Sequence, residues 1–378
     1  MELDARGPQW GAPLIPSSRQ PTLSAALGRS RVAGLDAVRA GAVLLVLLDH
    51  SELTPLWDIA IIDGGLGVEM FFVLSGFLIT WLLLGENEHH GHIGLISFYR
   101  HRVARLMPAL FAYVGTGLLL LLVQDKPVPW GAVVSSALYV INYYQAFTGA
   151  ETHYLAHCWS LAIEEQFYLL WPLILIVLLR RHEPLVRVLA LTIGALWLLK
   201  AVLILDSGAS DAYVYRALET RTDQLAIGCM LAAMLKSFFW REWFENLARQ
   251  RWLLWTLGGL LLLSTLLLRH SMIEKYLIGY TLEPLLVALI LPLVILEAQR
   301  SSWLAQLLNA QPLILIGQVS YGIYLYHPLV MHPVRRIVET WSGSATLGIS
   351  TSILAVIGMA YLSFRFFEQP LRQKLRGH

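Results

Sequence analysis

The chain has 378 residues, of which 56% are hydrophobic and only 14% are charged. Soluble domains carry about 25% charged residues, so the composition excludes an ordinary water-soluble fold, and two cysteines are too few for a disulfide scaffold. The formal net charge of +2 gives no reason to expect nucleic-acid binding. The composition instead predicts an all-α, polytopic membrane protein.

Ten stretches of the sequence are candidate spans of a bilayer, which takes about 17 to 25 mostly apolar residues per helix, although the stretch 222–236 is short. They lie at about 33–53, 66–85, 107–124, 158–180, 187–206, 222–236, 252–268, 279–297, 313–331 and 346–366. We therefore predict a membrane helical bundle of about ten transmembrane helices. The stretch 131–147 is shorter and more polar, and its length alone does not decide whether it spans the membrane or is re-entrant.

The distribution of lysine and arginine bears on this stretch. If 131–147 does not cross, the loops on the N-terminal side of the membrane hold 19 of the 28 lysines and arginines, and the opposite loops hold 7. Cytoplasmic loops are enriched in these residues. The asymmetry therefore predicts that both termini are cytoplasmic and that 131–147 is a short helix at the outer face, or dipping into it.

Outside the spans we predict two cytoplasmic tails. Residues 1–32 are rich in Pro, Ser and Gly and are expected to be disordered, and no cleavable signal peptide is expected because they lack an apolar core. Residues 373–378 form the second tail. The transmembrane domain, 33–372, must then carry the chemistry.

The first span contains ionisable residues, which cost about 2.5 to 3.5 kcal/mol each at the membrane centre and are usually functional. Arg39 and His50 are 11 residues apart, which places them on one helix face about 16 Å apart along the axis. Asp36 lies one turn below Arg39 on that face. An arginine that reaches the inner headgroups and a packed histidine are the structural alternatives, but both residues on one stripe favour a functional pair.

The fourth span begins with CWSLAIEEQFYLLWP and contains two adjacent carboxylates, Glu164 and Glu165. Trp159, Ser160 and Glu164 are expected at a depth comparable to that of His50. A glutamate that orients His50 or takes a proton from it is one hypothesis. A carboxylate that pairs with an arginine only to hold helices together is the alternative.

Other polar residues of the outer half are candidates for substrate contacts, although each alone is equally consistent with a structural role. They are Glu69, Arg221, Asp223, Tyr321, Tyr324 and His327. Small residues, such as Ser75, Gly76 and Gly228, suit close helix packing in lipid.

The segment SFYRHRVARLMP places Arg102 and Arg105 one helical turn apart on the cytoplasmic side. Arginine forks suit phosphate groups, so the pair could clamp phosphates, with Arg39 completing the clamp. Ordinary anchoring by positive charge is the structural alternative. We expect no metal site at the histidines of the loop 89–92, which lack Cys or carboxylate ligands at metal spacing, and no serine nucleophile, because Ser75 and Ser160 lack a nucleophile elbow.

Six segments carry motifs that appear together in one known family. In chain order they are LDAVRAGAVLLVLLDHS, GVEMFFVLSGFLIT, FYRHRVARLMPA, CWSLAIEEQFYLLWP, VSYGIYLYH and SFRFFEQPLR. With their order and spread over about 33–372, they resemble the acyltransferase-3 family of integral membrane O-acyltransferases, whose first helix has an Arg, ten residues and a His. The chain departs from the usual pattern at Glu69, His101 and Val319, where the family more often has Asp, Arg and Ile.

The resemblance implies an enzyme of the bacterial cytoplasmic (inner) membrane. It would move an acyl group, most often acetyl, from cytoplasmic acyl-CoA to a hydroxyl of a glycan, such as an exopolysaccharide, an O-antigen or a lipid-linked sugar. Acyl-CoA would be a cosubstrate, and we expect no permanently bound cofactor or metal. The expected partners are the acyl-CoA donor, the saccharide acceptor and membrane lipid.

The layout and the resemblance together predict roles for individual residues. His50 is the general base or the acyl-carrying nucleophile, and Glu164 fixes its tautomer. The phosphates of CoA are bound by Arg39, Arg102 and Arg105. The residues expected to contact substrate are Trp159, Ser160, Glu69, Asp223, Tyr324 and His327.

Three other functions stay open at this point. A transporter or flippase of a lipid-linked sugar also places charges in helices, but it would need inverted repeats with broken helices, which the sequence does not show. An acyltransferase could instead act on a small molecule, such as a macrolide. A scaffold that only recruits partners leaves the Arg39–His50 pair unexplained.

Overall fold

A computed structural model describes residues 22–29, 31–51, 64–150 and 152–376 of the chain. Every regular element in these ranges is helical. The first nine helices are α1 (Leu23–Leu27), α2 (Leu35–Asp49), α3 (Gly64–His90), α4 (Leu95–Val123), α5 (Trp130–Ala137), α6 (Ile141–Thr148), α7 (Cys158–Arg180), α8 (Leu185–Leu205) and α9 (Asp211–Arg216).

The remaining helices follow in the second half of the chain. They are α10 (Thr222–Lys236), α11 (Phe238–Arg249), α12 (Arg251–Leu267), α13 (Tyr280–Glu297), α14 (Trp303–Leu308), α15 (Gln311–Gln318), α16 (Ser320–Ser342), α17 (Ala345–Ser363) and α18 (Gln369–Arg376). A π-helical segment, Ile273–Gly279, leads into α13, and another, Phe364–Glu368, joins α17 to α18.

Six helical stretches are long and apolar enough to cross a membrane, which confirms the all-α, polytopic fold. They are Gly64–His90, Leu95–Val123, Cys158–Arg180, Leu185–Leu205, Ile273–Glu297 and Ala345–Lys374. Helices α15 and α16 qualify as a seventh span if they are taken together across the 75° bend between them.

The predicted count of ten spans is not confirmed. Helices α2, α10 and α12 fall on predicted spans, but they have 15, 15 and 17 residues. At 1.5 Å per residue they are about 22 to 26 Å long, which is shorter than a hydrocarbon core of about 30 Å. For α10 the predicted span already had the same 15 residues, 222–236, so this stretch was short in the sequence as well.

The stretch 131–147 forms the two eight-residue helices α5 and α6. Between them the backbone of Tyr139 is left-handed, with φ of 55°, which ends the first helix. Eight residues span only about 12 Å. Neither helix can therefore cross a bilayer, in agreement with the short helical segment expected there.

The described part of the predicted N-terminal tail contains a short helix. Helix α1 begins with Thr22 as its cap, and the backbone N–H of Leu23 donates to the Glu245 carboxylate over 2.7 Å. Residues 1–21 and 30 of this tail lie outside the described residues, and its disorder stays a prediction. In the second tail, 373–376 continue α18, and 377–378 lie outside the described residues.

Helix α3 lies at the centre of the bundle and packs against α2, α7, α10 and α13. Its contact with α10 is close because glycines face it from both sides. A Cβ atom at Gly76 would collide with the carbonyl oxygen of Leu225, and one at Gly228 would collide with that of Val73. The close packing predicted from these small residues is confirmed.

The helices that carry most of the predicted site residues meet around one region. Helix α16 packs against α2 and α4, and α3 packs against α2 and α7. We call the end of this region that holds Arg39 the arginine side, and the end that holds His50 the histidine side. Arg39 lies near the start of α2, and His50 is the C-cap residue that directly follows the last residue of α2, Asp49.

Candidate active site

A single open cavity contains the three arginines that were predicted to bind phosphates. It has about 990 Å³ of empty space, counted out to its mouth, and Arg39 from α2 lines it together with Arg102 and Arg105 from α4. Most of the remaining wall is apolar, with Phe71 and Leu161 among its residues. A mostly apolar pocket with a few convergent polar groups is typical of a small-molecule site. We call it the arginine cavity.

The positive charges of this cavity are only partly compensated. Arg102 lies 3.5 Å from the Glu165 carboxylate, and Arg39 lies 3.7 Å from that of Asp36. Arg105 is exposed to the cavity and has no hydrogen bond or ion pair with any residue that the structure describes. It is close enough to Arg39 and Arg102 to be repelled by both. An anion in the cavity would relieve this repulsion.

Glu164 also lies on the cavity wall. Its carboxylate accepts hydrogen bonds from the Ser75 hydroxyl over 3.1 Å and from the Tyr168 hydroxyl over 3.2 Å. Within the described ranges, no hydrogen bond or ion pair joins it to His50. The contact predicted from their similar depth is therefore not made, because the carboxylate of Glu164 is directed to α3 and to the next turn of its own helix.

The tautomer of His50 is set within α2 itself. Its Nδ1 lies 2.9 Å from the Val46 carbonyl oxygen, which can only accept a hydrogen bond, so this nitrogen carries the proton. The carboxylate of Asp49 lies 3.6 Å from the same nitrogen. Nε2 of His50 therefore keeps its lone pair, as a general base or nucleophile requires.

Two hydroxyl groups of the cavity wall lie next to the histidines. The hydroxyl oxygens of Ser160 and Tyr324 lie 2.6 Å apart, and Tyr324 donates to the carbonyl oxygen of His157 over 3.2 Å. Both were predicted to contact substrate, and both line the cavity. The ring of Phe71 packs edge-on against Tyr324, with centroids 6.3 Å apart.

Three histidine rings lie beyond Tyr324, and we call them the histidine cluster. The centroid of His327 is 4.7 Å from that of His50 and 5.1 Å from that of His157, while Tyr324 packs against His157 at 5.5 Å. His50 is 42% exposed on the histidine side, whereas His157 and His327 are buried. Burial, with His50 nearby, lowers the pKa of His157 to about 3. Tyr324 thus stands between the arginine cavity and the cluster.

Two of the residues predicted to contact substrate lie in ion pairs away from the cavity. Asp223 accepts from Lys200 over 2.8 Å and from the Trp197 ring N–H over 3.0 Å. Glu69 lies 3.9 Å from Arg221, and all four charged side chains are at most 1% exposed. We call these four residues the closed ion-pair cluster.

Trp159 lies beside this closed cluster. Its ring is 4.7 Å from that of Tyr215, and Arg221 lies 5.4 Å from its centroid. The observed contacts of Trp159, Glu69 and Asp223 are with side chains of neighbouring helices, so helix packing alone accounts for their burial. Contact with substrate stays a prediction for these three residues.

The sequence analysis did not assign Tyr168 and Arg372 to the site. The guanidinium of Arg102 lies over the Tyr168 ring, 3.3 Å from its centroid, and the one-turn spacing from Glu164 could have indicated this. Arg372 of α18 is near Arg105, and both line an adjoining cavity of about 280 Å³ of empty space. In the sequence analysis Arg372 contributed only to the count of lysines and arginines that predicts which side of the membrane is cytoplasmic.

Comparisons with known proteins agree with the sequence motifs. The profile of a family described as an acyltransferase domain matches residues 32–365. The chain is similar to the O-acetyltransferase OatA of Staphylococcus aureus strains NCTC 8325 and COL, with 31% identity over 355 residues in each case. These matches cover 90% of this chain, and the chain spans 57% of the length of those relatives. No solved structure matches the chain.

Proposed function

The chain belongs to the acyltransferase-3 family, and from this premise we propose that it is a membrane O-acetyltransferase that uses acyl-CoA as donor and a glycan hydroxyl as acceptor. The donor enters from the arginine side and the acceptor reaches the histidine side. With the excess of Lys and Arg on the N-terminal side, the arginine side is cytoplasmic, both termini are cytoplasmic, and the membrane is the inner membrane of a bacterium.

One observation carries this proposal. Three arginines from two helices line a cavity whose far end is closed by Tyr324, and the histidine cluster packs on the other side of that residue. A donor with phosphates at one end and a thioester at the other matches this order of groups. Arginine is well suited to the phosphates because its planar fork can form two hydrogen bonds to one phosphate.

In this proposal the phosphates of CoA lie against Arg39, Arg102 and Arg105. The apolar wall follows the pantetheine arm, and the thioester reaches Ser160 and Tyr324. Glu164 contributes to this donor cavity by holding Tyr168 against Arg102, instead of orienting His50. The intact thioester then passes Tyr324 to reach the base.

The chemistry on the histidine side is an acyl transfer with His50 as base. Nε2 of His50 takes the proton of the acceptor hydroxyl while the hydroxyl oxygen bonds to the acyl carbonyl carbon. The bond between carbon and sulfur breaks, and its electron pair leaves on the sulfur. The protonated His50 gives its proton to the sulfur, so that the products are the ester and the free thiol of CoA.

An acyl-histidine intermediate is the other route through the same residue. In that case Nε2 of His50 attacks the thioester, and the acceptor hydroxyl then displaces the acyl group from the ring. Incubation of purified protein with radiolabelled acetyl-CoA, without acceptor, separates the two routes. Label retained on the protein, and lost in His50→Ala, supports the intermediate.

Inverted membrane vesicles, supplied with radiolabelled acetyl-CoA, test the proposal. Label should enter the glycan fraction of wild-type vesicles, and His50→Ala should reduce the rate at least about a hundredfold, since general bases contribute about 10² to 10⁴ in rate. The matched control is His270→Ala, which removes an exposed histidine outside the cluster. Full acetylation by His50→Ala would refute the assignment of the base.

The orientation and the acceptor have their own tests. Right-side-out vesicles that exclude acetyl-CoA should not incorporate label, and equal incorporation by both vesicle types would contradict the proposed sidedness. Mass spectrometry of surface glycans from a deletion strain should show the loss of one ester. Unchanged glycans, with loss of an ester on a small molecule, would replace the glycan by that acceptor.

A further inference from the structure

His327 presents a hydrogen-bond acceptor that the described part of the chain does not use. The residue is 1% exposed, and its Nδ1 lies 2.7 Å from the carbonyl oxygen of Tyr324. Since a carbonyl can only accept, Nδ1 carries the proton and Nε2 keeps a lone pair. Nε2 is buried and has no hydrogen-bond partner among the described residues. An unpaired buried polar atom destabilises a fold, because it has lost its hydrogen bond to water without gaining another.

The ring of His50 packs edge-on against this imidazole, with an angle of 74° between the ring planes. In the neutral state His50 has its proton on Nδ1, so the Nε2 atoms of both rings are acceptors. Two acceptors cannot form a hydrogen bond with each other. Once His50 is protonated, however, its Nε2 becomes a donor, and the adjacent ring of His327 has an unused acceptor.

We propose that Nε2 of His327 accepts a hydrogen bond from the protonated His50 during acyl transfer, and that His327 is therefore a positioning residue of the reaction. The inference rests on the proposed function, in which His50 is the base. The hydrogen bond exists only while His50 carries the proton of the acceptor. It thus stabilises the transition state more than the ground state, which is the condition for a rate effect.

The proton balance of the reaction is unchanged by this contact. The acceptor hydroxyl gives its proton to Nε2 of His50, His327 holds that proton by a hydrogen bond, and the thiolate of CoA finally takes it. Asp49 does not compete for it, because its carboxylate lies beside Nδ1 of His50. The other groups that face His327 are the rings of His157 and His332 and the Tyr324 carbonyl.

Three substitutions at position 327 separate this role from packing. The amide oxygen of His327→Gln reaches the position of Nε2 and keeps an acceptor there. His327→Asn keeps only a donor near the position of Nδ1, and His327→Phe keeps the volume of the ring without an acceptor. The matched control is His157→Phe, which changes a neighbouring buried ring to which the reaction gives no role.

The readouts are kcat and the KM for acetyl-CoA in inverted vesicles, with glycan as acceptor. We expect His327→Phe and His327→Asn to lower kcat about tenfold to a hundredfold at unchanged KM. The expected loss is smaller than that for the base itself, because a positioning residue contributes only part of the rate effect of a general base. His327→Gln should keep kcat within about fivefold of wild type, and His157→Phe within about threefold. A purely structural role predicts the opposite order, because Phe packs better than Gln.

Two results would overturn the inference. One is a kcat of His327→Phe within twofold of wild type, and the other is a kcat of His327→Gln no higher than that of the Phe and Asn variants. His50→Ala in the same assay keeps the two proposals distinct. If wild-type vesicles do not acetylate glycan, the proposed function fails, and if His50→Ala retains activity, the assignment of the base fails. An inactive His50→Ala beside an active His327→Phe refutes only the role of His327.

A measurement on the wild-type protein decides the question if the variants do not fold. In proteoliposomes with nitrogen-15 labelled histidine, the Nε2 signal of His327 should shift when His50 becomes protonated. The shift should be absent in His50→Ala. An Nε2 signal that stays constant through the titration of His50 would overturn the inference.

Discussion

Two groups of charged side chains lie among the apolar helices of this protein, and they are built in opposite ways. In the closed ion-pair cluster, Lys200 and Asp223 are 1% and 0% exposed, and their charged atoms lie 2.8 Å apart. In the arginine cavity, Arg105 faces open space and pairs with none of the described residues. Helix packing therefore accounts for the closely paired Lys200 and Asp223, whereas Arg105, which has no such partner among the described residues, points to a ligand.

The largest effect is expected from removing one charge of the Lys200–Asp223 pair in the closed ion-pair cluster. Asp223→Asn should lower the free energy of unfolding by about 3 to 5 kcal/mol, because it leaves the ammonium group of Lys200 buried without a counter-charge. Urea unfolding in mixed detergent micelles measures the change.

The double variant Lys200→Met with Asp223→Leu is the control for that experiment. Replacing both charges by apolar side chains should cost much less than removing one, since no buried charge is left unpaired. A double variant as unstable as Asp223→Asn would show that the pair is needed for its shape and not for its charge balance.

Removal of Arg105 should affect donor binding and not stability, in contrast to Asp223→Asn. Arg105→Ala should raise the KM for acetyl-CoA about tenfold to a hundredfold, since a hydrogen bond to a charged group contributes about 1.5 to 3 kcal/mol, while the stability of the protein changes little. Kinetics in inverted vesicles and urea unfolding measure the two effects. Arg181→Ala, which removes an exposed arginine at the end of α7, should change neither.

A substitution of Glu164 tests which role this residue has. The sequence analysis predicted that it orients His50, whereas the structure places it in the arginine cavity. Because its carboxylate lies with the arginines and not with His50, Glu164→Gln makes the cavity more positive. The KM for acetyl-CoA should then fall or stay constant, and kcat should change no more than about fivefold. A loss of kcat as large as that of His50→Ala would restore the hypothesis that Glu164 orients the base.

The smallest expected effect concerns His157, a buried residue of the histidine cluster. Burial lowers its pKa in the folded protein to about 3, whereas in the unfolded chain it titrates near its ordinary value of about 6.5. The unfolded state therefore binds more protons below pH 6.5, and stability is lost as the pH falls from about 6.5 toward 3.

His157→Phe removes this titration. The difference in melting temperature between pH 7.5 and pH 5 should be smaller for the variant than for the wild type, by an amount that corresponds to at most about 2 kcal/mol. Parallel pH dependence of the two proteins would mean that His157 titrates at the same pH in the folded protein as in the unfolded chain, contrary to the lowered pKa.

The sequence by itself determined the properties that depend on local composition and spacing. The apolar stretches predicted the all-α membrane fold, and the spacing of 11 residues placed Arg39 and His50 about three helical turns apart in one segment. The glycines at 76 and 228 were correctly expected in close helix packing. Each of these properties can be read from one segment, because it follows from helix geometry and from the cost of charge in lipid.

Only the tertiary structure decided which helix faces meet. Glu164 and His50 have similar depth in the sequence analysis, yet Glu164 contacts Ser75 while His50 contacts His327. Asp223 pairs with Lys200 from another helix, 23 residues away in the chain. Depth along a helix follows from residue number, but the partner across a helix contact depends on rotations and bends, such as the 75° bend between α15 and α16, that the whole bundle sets by packing.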